Sequence, residues 1–135
     1  MNPFTAMHVQ IYRISGGRIA GSFRGARVLL LTTIGRRTGK RRTTPLFHIE
    51  DGPNKVVVAS NGGRDKDPSW WSNLKRNPDA EIQVGTETEK VRARKASPEE
   101  KKRLWPLFTK VYPTYDDYQR KTNREISLAI LEPDD

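Results

Sequence analysis

Two groups of side chains in this chain have the type and spacing to do chemistry. The first is Arg36, Arg37, Thr38, Gly39, Lys40, Arg41 and Arg42, where five of seven residues are cationic. Such a run repels itself unless something negative sits on it. Arginine binds phosphate or carboxylate through paired hydrogen bonds and lysine adds a point charge, so the run points to an anionic ligand. A solvated basic hairpin tip is the alternative. The second group is Tyr112, Tyr115 and Tyr118, three of the four tyrosines, repeating every three residues. In a helical segment their rings share one arc of roughly 120°, and filling a groove with hydroxyls toward solvent is their ordinary use. A third feature, Ser60-Asn61-Gly62-Gly63, is a small-residue loop whose backbone N–H groups can face a ligand without side chains in the way.

Composition removes several other chemistries. Without cysteine there is no thiol catalysis, no Cys-ligated zinc and no iron–sulfur cluster; His8 and His48 lack partners at metal-ligand spacing, so no metal site is expected. No Ser-His-Asp or paired-carboxylate constellation stands out, and neither G-x-G-x-x-G nor a Walker-type loop is present. The net charge of +9 is concentrated early: residues 1 to 50 carry nine Arg and Lys against Glu50 alone. That asymmetry suits a polyanionic ligand, a nucleic acid or an anionic membrane surface. The apolar run from Val28 to Leu31 is too short to span a bilayer, and residues 1 to 20 lack the continuous apolar core of a signal peptide.

At 135 residues the chain reads as one domain, residues 1–135. Residues 4–14 place Phe4, Met7, Ile11 and Ile14 at helical spacing, a short helical extension over 1–15 that covers the core or lies on an acidic membrane surface. The basic run joins two strands, Val28 to Thr33 and Arg41 to Glu50. Pro45 should mark a bulge or an unpaired edge. With Lys55 to Ser60 these strands should form an antiparallel meander. Pro68 opens a helix to Asn77 that carries Trp70, Trp71 and Asn73, and two alternating strands follow, Ala80 to Gly85 and Thr88 to Lys95. Ser97-Pro98-Glu99-Glu100 reads as a capping box. The helix it starts should bury Leu104, Leu107, Phe108 and Val111 and kink near Pro106. Alternation of Ile126, Leu128 and Ile130 predicts a last strand over Glu125 to Leu131 with one face inward. Strands are grouped rather than alternating with helices, which argues for an α+β barrel of about six mostly antiparallel strands with flanking helices.

The runs LLLTTIGRRTGKRRTTPL, VVVASNGG, DPSWWSNLKRNPDAEIQV and YPTYDDYQRKTNREISLAILEP, in that order, resemble the deazaflavin-dependent nitroreductase family, small split β-barrel oxidoreductases that use reduced coenzyme F420. The likeness covers about residue 16 to residue 133. It implies that Arg36, Arg37, Thr38, Gly39, Lys40 and Arg42, with Ser60, Asn61, Gly62 and Gly63, hold the phosphodiester and glutamyl tail of F420. It also implies a cofactor contact at Asn73, and a ring slot lined by Pro45, Leu46, Phe47 and Trp70. Where many relatives carry a basic residue this chain has Asn61, so one anionic contact is expected to be either weaker or supplied by Arg64 or Lys66. The tyrosines would close over a substrate, with Tyr115 the first candidate, ahead of Tyr112 and Tyr118, to hydrogen-bond or protonate an acceptor oxygen.

The resemblance implies hydride transfer to a quinone or similar planar acceptor, with nitroaromatics as side substrates. The absence of cysteine and of a signal peptide points to the cytoplasm, the basic amphipathic N-terminus offers peripheral contact at the inner membrane face as one option, and a homodimer is compatible with a split barrel. The rival readings are a non-catalytic F420 carrier and a basic nucleic-acid-binding module.

Overall fold

The computed structural model describes residues 22, 23 and 26–134; the expected N-terminal helix lies outside them. Seven strands run β1 (Ser22–Phe23), β2 (Ala26–Ile34), β3 (Arg41–Asp51), β4 (Asn54–Val58), β5 (Asp79–Val84), β6 (Glu87–Lys95) and β7 (Leu128–Pro133). Three helices accompany them: α1 (Ser69–Arg76), α2 (Pro98–Val111) and α3 (Thr114–Lys121).

All pairings are antiparallel, and β2 pairs with both β3 and β5, so β2, β3, β4, β7, β6 and β5 close a six-stranded barrel. The expected meander is β2–β3–β4. Asp51-Gly52 turns it with Gly52 at φ 61°, and Gly85, at φ 62°, turns the β5–β6 hairpin. Closure explains the unbroken apolar run in β2. Leu29 and Leu31 point into the barrel with Val57, Ile82, Val91, Ala129 and Leu131, while Val28 and Leu30 are buried on the outer face beside Phe47. A strand covered on both faces has no polar side to show.

A second core lies outside the barrel, where α2 and α3 cover Val56, Val58, Leu128 and Ile130 with Leu104, Phe108 and Tyr115. This corrects the reading of the last strand: both faces of β7 are buried, Ala129 and Leu131 inward and Leu128 and Ile130 under the helices. It also starts later than expected. The Ile126 backbone is taken by side chains, its N–H donating to Gln119 Oε1 (2.9 Å) and its carbonyl accepting from Lys101 Nζ (2.6 Å).

Helix α2 begins with the expected capping box. Glu100 N donates to Ser97 Oγ at 3.1 Å and Ser97 N to Glu100 Oε1 at 2.9 Å. It runs through Pro106 as a single helix, and its buried stripe is narrower than the periodicity suggests. Leu104 and Phe108 are buried, whereas Leu107 is 47% exposed. The helix's contact with the sheet takes the i, i+4 pair Leu104 and Phe108 and leaves the i+3 position, Leu107, at its rim. Pro45 stands opposite Leu30, in a part of β3 that β4 does not reach, since β4 pairs only with His48 to Asp51. A residue without an N–H is tolerated at such a half-edge.

Candidate functional site

The basic turn between β2 and β3 is tight because Gly35 N donates to Lys40 O (2.7 Å) and Gly39 N to Gly35 O (2.8 Å). Gly39 takes φ 69°, and a Cβ at Gly35 would stand 2.9 Å from Thr38 Oγ1. The turn is pinned to α1 by Asn73. Its buried side-chain oxygen accepts from Arg36 N (3.2 Å) and Arg36 Nη1 (2.9 Å), and its Nδ2 donates to Thr33 Oγ1 (3.0 Å). Asn73 therefore spends its amide on holding Arg36.

Opposite this turn is the loop after β4. Ser60 has helical backbone angles, and Asn61, Gly62 and Gly63 follow with φ of 47°, 64° and 79°. Gly63 is buried against α3, where a Cβ would meet Tyr118 Cα and O at 2.9 Å. Glycine is required there both by φ and by space.

Between turn, loop and the start of α1 opens a basin of about 1140 Å³, larger than the roughly 300–1,000 Å³ of an ordinary small-molecule site. Its lining carries six cations, Arg36, Arg37, Arg41, Arg42, Arg64 and Lys121, and no carboxylate. Arg37 and Arg42 form no ion pair among the described residues, and Arg41 reaches Glu81 only at 3.6 Å on the surface. An exposed pair of that kind contributes little, so the positive charge stays available. Leu46, Val58 and Trp70 give the basin an apolar wall, and Trp70 packs edge-on against Trp71 at 6.2 Å.

Of the residues the sequence singled out, Arg36, Arg37, Thr38, Arg42, Leu46, Ser60, Asn61, Gly62, Trp70 and Asn73 line this basin. Gly39, Lys40 and Gly63 shape its two loops from behind. Pro45 and Phe47 do not line it. They share the outer face of β3, where Phe47 packs edge-on against Tyr112 at 6.0 Å, because neighbouring strand residues point to opposite faces. Asn61 turns its Nδ2 to Lys66 O (3.0 Å), and Arg64, not Lys66, supplies the nearby cation on the lining.

The three tyrosines do converge. Their rings stand 5.1 to 6.3 Å apart, and the Tyr112 and Tyr118 hydroxyls are 3.3 Å apart. Tyr115 is packed inward, only 7% exposed, against Phe108 and Trp105. Burial pushes its hydroxyl well above the usual tyrosine range. Tyr118 is half-buried, and its hydrogen bond with Tyr112 raises its pKa. The cluster adjoins the basin across Gly63 rather than lining it.

Sequence reasoning named Arg41 in the basic run but did not carry it into the expected cofactor set, and it passed over Lys121 and Arg124. Lys121 and Arg124 lie about 60 residues from the loop they reach, and their one signal was the KTNR run after the tyrosines.

A closed six-stranded barrel with a carboxylate-free cationic basin beside an aromatic cluster defines a split-barrel protein with a site suited to a strongly anionic ligand. Residues 5–133 match the model of the F420H(2)-dependent quinone reductase family, and the chain belongs to it. It is thus an F420-dependent oxidoreductase. The chain is 40% identical over 129 residues to F420H(2)-dependent quinone reductase Rv1261c of Mycobacterium tuberculosis, covering 93% of this chain and 87% of that one. Among solved structures it is similar to an F420-H2 dependent reductase, FDR-A, with a TM-score of 0.71 and 40% identity over 78% of this chain and 93% of the other. A second, described as a domain-swapped dimer, has a TM-score of 0.73 and 36% identity over 97% of this chain and all of that one.

Proposed function

We propose that the protein, a single reductase domain over residues 1–135, holds F420 in the basin between the basic turn and the Ser60–Gly63 loop and reduces a quinone beside the tyrosine cluster. The observation that carries this is the lining with six cations and no carboxylate. A phosphodiester and several glutamyl carboxylates neutralise such a surface, and the ligand gains both bidentate arginine contacts and electrostatic attraction. Arg36, held by Asn73, with Arg37 and Arg42, receives the phosphodiester side. Arg64 and Lys121 stand at the opposite rim for the carboxylates. Leu46 and Trp70 offer the apolar contact a planar ring needs.

Bound F420H2 supplies a hydride from its ring carbon; the remaining work is positioning and charge stabilisation by the protein. Tyr118, with Tyr112 as its partner, hydrogen-bonds the acceptor oxygen as it gains charge. Its raised pKa keeps the hydroxyl protonated throughout the physiological range. Tyr115, enclosed by Phe108 and Trp105, holds the pair in place, which shifts the leading role from Tyr115 to Tyr118. Nitroaromatic compounds fit the same planar slot as side substrates. The protein works as a cytoplasmic enzyme, with residues 1–15 bringing it to the inner membrane face where quinones reside, and it pairs as a homodimer. Among the described residues no helix is long and apolar enough to cross a membrane.

The test is a fluorescence titration with oxidised F420 and, separately, with flavin mononucleotide, followed by turnover with F420H2 and a soluble naphthoquinone. Tight binding of F420 alone with quinone-dependent oxidation is the expected result. Binding without turnover, unchanged by loss of the tyrosine hydroxyls, would make the protein a carrier. Failure to bind F420 would remove the reading.

A further inference from the structure

The loop that faces the basic turn is held open from behind by one guanidinium. Arg124 lies between α3 and β7 with a side chain only 15% exposed. Its Nε donates to Arg64 O at 2.8 Å, its Nη2 to Ser60 O at 2.9 Å and its Nη1 to Ala59 O at 3.2 Å, and Nη1 also faces Asp67 Oδ1 at 3.4 Å. Three of its four partners are main-chain carbonyls of a single loop.

Three more carbonyls of that loop are occupied as well. Gly62 O accepts from Lys121 Nζ at 3.4 Å, Asn61 O from Arg64 N at 3.2 Å and Lys66 O from Asn61 Nδ2 at 3.0 Å. A carbonyl oxygen turned toward an anion repels it. Here the carbonyls of residues 59–62, 64 and 66 all answer to donors of the protein itself. Ser60 in the right-handed helical region followed by left-handed Asn61 is the backbone sequence that gathers successive N–H groups into an anion-binding concavity. Both residues line the basin.

We propose that Arg124 is a positioning residue for the cofactor: it draws the carbonyls of Ala59, Ser60 and Arg64 away from the basin and leaves the Ser60–Gly62 backbone presenting N–H groups to an anion. This rests on the assignment of the basin to F420. Arg124 does not line the basin; its charge acts through the loop. Lysine cannot replace it, because one ammonium on a flexible stem does not reach three carbonyls at the fixed angles of a planar fork.

The experiment compares wild type, Arg124→Lys and Arg124→Ala in three measurements. They are backbone amide hydrogen exchange of the cofactor-free protein, F420 titration, and steady-state turnover with F420H2 and a naphthoquinone. The expected result for Arg124→Lys is faster exchange confined to residues 60–66, Kd and KM for F420 raised about tenfold or more, and kcat at saturating F420 within about twofold of wild type. Added guanidinium chloride should restore F420 binding to Arg124→Ala, while sodium chloride of equal ionic strength should not. Wild-type affinity in Arg124→Lys would overturn the proposal. So would exchange raised throughout the barrel with kcat and melting temperature falling together, since that marks a merely structural residue. Failure of wild type itself to bind F420 would instead overturn the cofactor assignment, and exchange confined to 60–66 would then leave only the loop-holding role.

Discussion

At the residue scale the basin is lined by six cations and no carboxylate, and Arg37 and Arg42 form no ion pair among the described residues. Arg42 lines the basin and forms no ion pair among the described residues, so under the proposed F420 assignment Arg42→Ala removes a ligand contact without breaking the fold. A charged hydrogen bond contributes about 1.5–3 kcal/mol, so F420 affinity should fall between about tenfold and a hundredfold. A titration at two salt concentrations checks this, and the variant should also show a weaker salt dependence than wild type. The tyrosines divide differently. Tyr118→Phe should lower kcat with quinone by about tenfold or more while sparing the Kd for F420, in line with the loss of one positioned hydrogen-bond donor. Tyr115→Phe should leave both nearly unchanged, because that hydroxyl belongs to a residue packed against Phe108 and Trp105. Equal kcat losses in the two variants would return the leading role to Tyr115.

At the scale of elements, the hairpin turn, the β4 loop, α1 and α3 set the basin's walls. Several elements of the fold begin or end on a local signal that can be read directly. Gly35 and Gly39 make the turn, Ser97 and Glu100 cap α2, and Pro68 precedes α1. Ser97→Ala should destabilise the protein by about 1 kcal/mol, the usual cost of an N-cap, and lower the melting temperature by about 2–5 °C. Calorimetry checks it, and F420 affinity should not move, since α2 does not reach the basin. What local signals did not carry is direction. Alternation divides β3 into two faces, yet Leu46 and Phe47 are both apolar and adjacent, so nothing in the strand itself tells which one looks into the basin. The same ambiguity put Leu107 in the stripe of α2, where it stands at the rim of the contact with the sheet.

At the scale of the molecule, the barrel encloses an unusual group. His48 points inward on β3, 2% exposed, and neither ring nitrogen meets a partner at hydrogen-bonding geometry among the described residues. Burial, then the charges of Arg27 and Lys55, lower its pKa to about 4, with Glu50 opposing. Below pH 6.5 the unfolded chain binds this proton, while the folded protein does not until about pH 4. Stability is therefore full above pH 6.5 and declines as pH falls toward 4, by up to about 3 kcal/mol. Denaturant titrations at pH 7 and pH 4.5 should show that loss in wild type and much less of it in His48→Leu. Glu100, held near 2 chiefly by its hydrogen bond with Arg94, adds an acid-sensitive contribution only below about pH 4.5, so the two windows separate.

The sequence by itself determined whatever depends on neighbours along the chain. It concentrated cations in one turn, placed glycines where the backbone must bend, capped α2, and alternated residues in strands, because charge density, φ preference and side-chain direction are set within a few residues. Ten of the fifteen expected cofactor residues consequently fall on one basin. Only the tertiary structure decided which face of β3 that basin uses, that Tyr115 is enclosed while Tyr118 is half-buried, and that Arg124 reaches back some 60 residues to the loop after β4. Those outcomes follow from closing β2 onto β5 and laying α2 and α3 over β7. Closure fixes inside and outside for all strands at once, and no local pattern carries that information.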